Sequence, residues 1–188
     1  ERAIRQVVLC LARGEQPTLG RKSGVPALDW GIDHEAWVRA QAWERHPEWD
    51  DVERPGLVLH HDRRHPLFAN HCAATPDGHI QPMGWGLETK APYSPAIHLS
   101  YVRSGTVPEQ YWAQVQWSLW CTGWERWVFA SGDPRIDDGE QYMDVVVAPD
   151  PAYHARIADM ATRFLEGYLA HEEFQPLRPT AAAFSKMF

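Results

Sequence analysis

Apolar residues recur in this chain with two different periods, and the order of the two constrains the fold most. Helical spacing predicts helices over 3–13, 34–45 and 151–171, and between Thr106 and Gly123. Extended apolar segments predict strands over 56–60, 67–74, 85–90, 127–130 and 142–148. The resulting order α, α, β, β, β, α, β, β, α is typical of one mixed α/β domain.

Local signals refine these elements. Asp29 or Asp33 is expected to cap the helix over 34–45, and Thr106, with Pro108 in the first turn, to begin the next. The segment 142–148 is nearly all apolar, which predicts an interior strand. The predicted core faces of the second and the last helix consist of Trp37, Ala40 and Trp43, and of Ile157, Met160, Phe164, Leu165 and Tyr168.

Length and composition limit the domain count and the function class. A chain of 188 residues is expected to form a single domain, with a core over about 27–170, an N-terminal helix and loop over 1–26 and a tail over 176–188. Its 25 acidic and 18 basic residues give a net charge of -7, which argues against a nonspecific polyanion binder. The three cysteines lie far apart and predict buried free thiols. With neither a membrane span nor a secretory signal in view, we expect an intracellular, cytoplasmic protein.

A group of charged residues could carry chemistry on the strand over 85–90. Glu88 and Lys90 are two residues apart and therefore project from one face of the strand. If the segment ending at Asp77 pairs with this strand, a second carboxylate reaches the same surface. Two carboxylates suit Mg²⁺ or Mn²⁺, and a nearby lysine could orient or deprotonate a water molecule for attack on phosphorus.

Five sequence blocks occur in an order that resembles a known family. They are Trp30-Gly31-x-x-x-Glu35, Thr75-Pro76-Asp77-Gly78, Gly86-Leu87-Glu88-Thr89-Lys90-Ala91-Pro92, Ala113 to Trp120, and Phe129 to Arg135. Together they resemble the lambda exonuclease or YqaJ-type viral recombinase family, within the PD-(D/E)xK nucleases. The resemblance covers about residues 27–170 and implies a restriction-endonuclease-like mixed β-sheet flanked by helices.

The resemblance also implies a role for each matching residue. Asp77 and Glu88 would be metal ligands, with the Thr89 main-chain carbonyl as a third, and Lys90 would position the attacking water. Glu35 would bind or orient metal-bound water, and Gln114 matches a glutamine beside the site. For DNA contacts, Arg103 matches a basic position through a gapped register, and Arg13, Arg21 and Lys22 are substitutes for a terminal-phosphate residue that the family places further upstream.

The implied activity is that of an alkaline-exonuclease type deoxyribonuclease in phage-type recombination. Such an enzyme uses two Mg²⁺ (or Mn²⁺) ions in a ring-shaped homotrimer to digest one strand of linear duplex DNA from its 5′ end, with a single-strand annealing protein as a further partner. The alternative is a catalytically silent DNA-binding or assembly module of the same fold.

Two other groups of residues have competing interpretations. The run from His60 to His65 could bind zinc, but its two arginines would repel the cation, which favours a structural or surface role. Trp112, Trp117 and Trp120 could stack on bases, but they occupy several sides of one helix, which favours packing.

Overall fold

The computed structural model describes residues 24–49, 51–81, 83–137 and 139–170. The helices in these ranges are α1 Pro26–Arg45, α2 Phe68–His71, α3 Pro95–Ser104, α4 Glu109–Thr122 and α5 Pro151–Ala170. The strands are β1 Asp51–Glu53, β2 Val58–Leu59, β3 Ala73–Ala74, β4 Gly78–Gln81, β5 Trp85–Lys90, β6 Trp127–Gly132 and β7 Tyr142–Val147. The helix predicted over 3–13, Arg13, Arg21, Lys22 and the tail over 176–188 lie outside the described residues.

The main sheet is mixed, as the alternation of helical and extended segments predicted. Its five strands follow the order β1-β4-β5-β6-β7. Strands β5 and β6 are parallel, and every other neighbouring pair is antiparallel. The parallel pair requires a crossover, which contains α3 and α4. Strands β2 and β3 form a separate antiparallel pair.

Helices cover both faces of the sheet, so the central strands are buried on each side. Val38 and Ala42 of α1 pack against a face that includes Leu87. Val115 and Leu119 of α4 pack against the opposite face, with Trp127 and Phe129. Because side chains alternate along a strand, Glu88 and Lys90 lie on the α4 face, and Leu87 and Thr89 lie on the α1 face.

Several helix predictions require correction. Helix α1 begins at Pro26, eight residues before the predicted start, so Asp29 and Asp33 lie inside the helix and do not cap it. A proline in the first turn begins this helix, because its fixed φ and missing N–H suit that position. The same signal begins α3 at Pro95, a helix that the periodicity missed. Thr106 does not cap α4, whose N-cap is Pro108.

The predicted strand over 67–74 is also wrong. Its first half is the helical turn α2, and only Ala73–Ala74 is extended. The backbone N–H groups of Leu67 and Phe68 both point to the Nδ1 atom of His65, at 3.3 and 3.1 Å. This side-chain acceptor satisfies N–H groups at the start of the turn, which favours the helical conformation over an extended one.

Three predictions of burial are wrong, because the residues concerned lie at the edges of the domain. Strand β7 is an edge strand and not an interior one, and its Val146 is 49% exposed. In α5, Ile157 and Leu165 are buried as predicted, but Met160 and Phe164 are 64% and 66% exposed. Trp43 of α1 is exposed as well. Among the described helices, none is long and apolar enough to cross a membrane.

Candidate active site

Strand pairing brings the two predicted metal ligands to one end of β5. Asp77 directly precedes β4, which pairs with β5 in an antiparallel register from Gly78 opposite Leu87. The Asp77 N–H extends this ladder by donating to the Leu87 carbonyl at 3.0 Å. The sequence predicted that the segment ending at Asp77 would pair with this strand. The strand that pairs is instead β4, which begins directly after Asp77, and Asp77 still lies beside the segment Glu88-Thr89-Lys90.

The Asp77 carboxylate is fixed by the backbone and the side chain of Thr89. Its Oδ2 atom accepts hydrogen bonds from the Thr89 N–H at 2.7 Å and from the Thr89 hydroxyl at 3.0 Å. Arg39 of α1 donates to the Asp77 carbonyl at 3.4 Å. These contacts hold one carboxylate oxygen against β5 in a half-buried position.

Glu88 is buried, with 3% of its surface exposed, and it contacts two of the predicted residues. Its Oε1 atom pairs with the Lys90 ammonium and accepts a hydrogen bond from the Gln114 amide at 2.5 Å. The Lys90 ammonium also lies 5.1 Å from the centre of the Tyr111 ring, which is cation–π geometry. Glu88, Lys90 and Gln114 thus form one cluster, to which Tyr111 of α4 adds an aromatic face.

Burial raises the pKa of Glu88 to about 7, and the nearby Asp77 carboxylate adds to this effect. Lys90 and Gln114 lower that pKa but do not cancel the burial. Asp77 and Glu88 use different hydrogen-bond partners, yet Asp77 lies close enough for its charge to raise the pKa of Glu88.

Helix α1 brings a third carboxyl group to the site. Glu35 is half-buried, and its pKa is raised to about 7 by burial and by the hydrogen bond and charge of Asp77. Two arginines lie near its Oε1 atom, Arg39 at 3.9 Å and Arg54 at 3.8 Å. Their charges act in the opposite direction, but the net pKa shift is upward. Burial and the neighbouring Asp77 carboxyl group together outweigh the two arginines.

A cleft of about 580 Å³ opens at this end of β5. Glu35, Asp77, Thr89 and Lys90 line its polar part, and residues of α1, α3, α4 and the segment after β5 form the rest. A volume of this order is typical of sites that take a small molecule or a single group of a larger one.

The donor set fits a hard divalent cation in composition. Asp77 and Glu88 offer carboxylate oxygens, Thr89 offers a backbone carbonyl, and oxygen donors of this kind are preferred by Mg²⁺. Magnesium keeps several waters and needs only one or two protein carboxylates. Within the described part of the chain, no three His, Cys, Asp or Glu side chains form a cluster that could hold a metal ion. Burial and the Asp77 carboxyl group raise the pKa values of Glu35 and Glu88, and a bound cation would stabilise their ionised forms.

Sequence reasoning and the structure differ in the basic residues. Arg103 is exposed in the last turn of α3, outside the lining of the cleft. Arg21 and Lys22 are not among the described residues. Conversely, the sequence reasoning missed Arg39 and Arg54. The spacing of Glu35 and Arg39 by four residues on a helix could have indicated the first of them, whereas Arg54 meets Glu35 only through the fold.

The competing groups of residues have structural roles. His60 is buried, and its Nδ1 atom accepts a hydrogen bond from the Asp62 N–H at 3.2 Å. Trp120 is buried in a cluster with Phe68 and Ile157, and the Trp117 indole donates to the Ala73 carbonyl at 3.0 Å. Trp112 packs at the edge of the core cluster under α4, and Cys72 and Cys121 are buried free thiols. These contacts confirm the packing interpretation for the described tryptophans and cysteines.

Solved structures resemble this fold. LHK-Exo, an alkaline exonuclease from Laribacter hongkongensis that has also been crystallised with dAMP, matches with a TM-score of 0.72 and 25% identity. That match covers 97% of this chain and 85% of LHK-Exo. A phage related exonuclease from Haemophilus somnus 129PT is 12% identical and matches with a TM-score of 0.55 over 88% of this chain and 78% of its own, which shows the fold alone.

Sequence comparison gives the family. ExoD, an uncharacterized protein of Escherichia coli (strain K12), is 38% identical over 61 residues, which are 32% of this chain and 68% of ExoD. The profile of the YqaJ-like viral recombinase domain matches residues 6–125. The chain therefore belongs to the YqaJ-like viral recombinase domain family, and its single mixed α/β domain has the fold of the PD-(D/E)xK-like exonucleases.

Proposed function

We propose that this protein is a Mg²⁺-dependent exonuclease that digests one strand of linear duplex DNA from its 5′ end during recombination. One observation carries the proposal. Asp77, hydrogen-bonded to Thr89, and the Glu88–Lys90 ion pair lie at one end of β5, beside a cleft, where burial and the Asp77 carboxyl group raise the pKa values of Glu35 and Glu88. The match to an alkaline exonuclease supports this reaction class.

The residues divide the chemical work in this proposal. Asp77, Glu88 and the Thr89 carbonyl would hold one or two divalent ions, which when bound neutralise the charge of the phosphate and of the developing transition state. Lys90, steadied by Glu88 and the Tyr111 ring, would orient the attacking water. Glu35, which lines the cleft together with Asp77, would bind or orient metal-bound water.

The net charge of -7 does not exclude a DNA substrate, because a cleft concentrates the local field whatever the total charge. Arg39 and Arg54 supply positive charge next to the carboxyl groups, where a phosphate would approach. The ring-shaped homotrimer and the annealing partner belong to the same proposal. Light scattering of the purified protein tests the trimer.

A digestion time course tests the reaction. Linear duplex DNA labelled at either the 5′ or the 3′ end, with and without a 5′ phosphate, is incubated in Mg²⁺ or in EDTA. We expect Mg²⁺-dependent loss of one strand from its 5′ end and no digestion in EDTA. Equal cutting of closed circular duplex would instead indicate an endonuclease.

Replacing the lysine separates an enzyme from a catalytically silent module. We expect Lys90→Ala to lower the cleavage rate by about 10²- to 10⁴-fold while DNA binding is largely kept, because the residue orients the nucleophile. Arg163→Ala is the matched control, since Arg163 forms an exposed ion pair with Asp159 on α5. A wild type that binds DNA without Mg²⁺-dependent cleavage, together with a Lys90→Ala variant whose properties are all unchanged, would identify the silent module as the correct function.

A further inference from the structure

The cleft beside the carboxylates has an apolar wall that no step of the proposed reaction uses. Leu28 and Ile32 of α1 line one side and are 55% and 52% exposed. Tyr93, in the segment after β5, and Ile97 of α3 also line the cleft and are 52% and 46% exposed. Exposed apolar side chains that converge on a cleft are characteristic of a binding site.

The backbone that carries Tyr93 is fixed, although its ring is exposed. Arg135 donates to the Tyr93 carbonyl at 2.8 Å and is itself paired with the buried Asp133. The Arg135 guanidinium also lies 3.9 Å from the centre of the Trp30 ring, which meets the Tyr93 ring edge-on at 6.3 Å. Tyr93 is therefore a preorganised aromatic surface, and preorganisation lowers the entropy lost when a ligand binds.

The polar and apolar parts of the cleft are continuous, since Thr89, Lys90, Tyr93 and Ile97 line one cavity. A nucleotide has the same division, with a charged phosphate at one end and a flat base at the other. A phosphate held near Asp77 and Lys90 would leave its attached nucleoside against the apolar wall. A base inside a duplex is covered by its neighbours, so an unpaired base at a strand end is the group that fits.

We infer that this wall receives the unpaired nucleobase of the terminal nucleotide, with Tyr93 as the ring on which the base stacks and Leu28 and Ile32 as its apolar surroundings. The inference rests on the proposed function and deepens it by assigning a base subsite. Stacking on an aromatic ring tolerates every base, so the subsite suits an enzyme that removes nucleotides in succession.

Fluorescence of 2-aminopurine tests the stacking, because stacking on an aromatic ring quenches it. A linear duplex with 2-aminopurine as its 5′-terminal nucleotide is titrated with the Lys90→Ala protein in Mg²⁺, so that binding is observed without cleavage. We expect quenching that Tyr93→Ala abolishes and Tyr93→Phe retains. Phe164→Ala, which removes an exposed aromatic ring outside this cleft, should leave the quenching unchanged.

A second comparison uses the protein with Lys90 intact and measures how much the Tyr93 side chain contributes to turnover. We expect Tyr93→Ala to lower kcat/KM by about 5- to 100-fold on a normal end, the range that stacking of one base supplies. On a duplex whose terminal nucleotide is abasic, the same substitution should have almost no effect, because there is no base to stack. An equal loss on both substrates would overturn the inference and indicate a merely structural tyrosine.

The two proposals fail in distinguishable ways. Quenching that depends on Tyr93 without any Mg²⁺-dependent digestion would contradict the exonuclease and leave the base subsite standing. Digestion with quenching that Tyr93→Ala does not change would support the exonuclease and overturn the base subsite.

Discussion

Two buried carboxyl groups at the same end of the sheet behave in opposite ways. Asp133 directly follows β6, Glu88 lies near the end of the parallel strand β5, and both are almost inaccessible to solvent. Burial raises the pKa of Asp133, but the hydrogen bonds and charge of Arg135 outweigh it, so the net pKa is lowered. Lys90 and Gln114 lower the pKa of Glu88 but do not outweigh its burial, so the pKa rises to about 7.

The difference lies in how completely each charge is neutralised. Arg135 gives Asp133 two side-chain hydrogen bonds, at 2.8 and 2.7 Å, and one backbone hydrogen bond at 2.9 Å. Glu88 is paired through one oxygen with Lys90 and Gln114, and the nearby Asp77 carboxyl group opposes its ionisation. A buried carboxylate whose pairing outweighs its burial stays ionised in the folded protein, whereas one whose pKa is raised costs stability when it ionises and has a use if a cation binds.

The largest expected effect is on activity. We expect Glu88→Gln to lower the cleavage rate by about 10³-fold or more, because removing one charged ligand from a metal-assisted reaction removes transition-state stabilisation. The same substitution should leave the free energy of unfolding in EDTA unchanged or higher, since it removes a buried, incompletely paired charge. Digestion assays and thermal melts measure both. If the Glu88→Gln variant keeps its activity, or if it unfolds more readily than the wild type, then Glu88 is a structural carboxylate like Asp133.

The opposite result is expected when Asp133 loses its partner. Arg135→Ala should lower the free energy of unfolding by about 3 to 5 kcal/mol, because it leaves a buried carboxylate without its cation. Chemical denaturation of this variant and of Arg163→Ala makes the comparison. The exposed pair of Arg163 and Asp159 should contribute less than about 1 kcal/mol. Equal losses for the two arginines would show that Asp133 does not depend on its pairing.

The pH dependence of stability gives the smallest of these effects. A carboxyl group whose pKa is 4.5 when unfolded and about 7 when folded binds its proton more tightly in the folded state. Its contribution is therefore present at low pH and is lost as the pH rises through 7. In EDTA, the wild type should lose on the order of 2 kcal/mol more than Glu88→Gln between pH 5 and pH 8. Parallel pH profiles would contradict the raised pKa.

The sequence was informative where local signals agree with the fold. The strand Trp85–Lys90 was predicted with its observed bounds, and the alternation along it places Glu88 and Lys90 on one face. Strand β4 was not predicted, because Gly78 was assigned to a turn and the partner of β5 was expected in the segment that ends at Asp77. Gly123, with φ of +68°, ends α4 as expected, because glycine adopts this left-handed conformation without strain.

Long-range contacts account for what the sequence could not give. The position of β7 at the edge of the sheet depends on strand order, which hydrophobic periodicity does not encode. Arg54 reaches Glu35, and Arg135 reaches Tyr93, across 19 and 42 residues of chain. The same holds for the apolar wall, since α1 and the segment after β5 meet only in the folded domain.

Titration of Mn²⁺ into the metal-free protein tests most directly whether the acidic site holds a cation. Calorimetry on the wild type and on a variant carrying both Asp77→Asn and Glu88→Gln makes the comparison. We predict saturable binding to the wild type and an affinity at least about 100-fold lower in the variant, because both charged ligands are lost. Equal affinity in the two proteins, with the fold of both intact, would contradict the account.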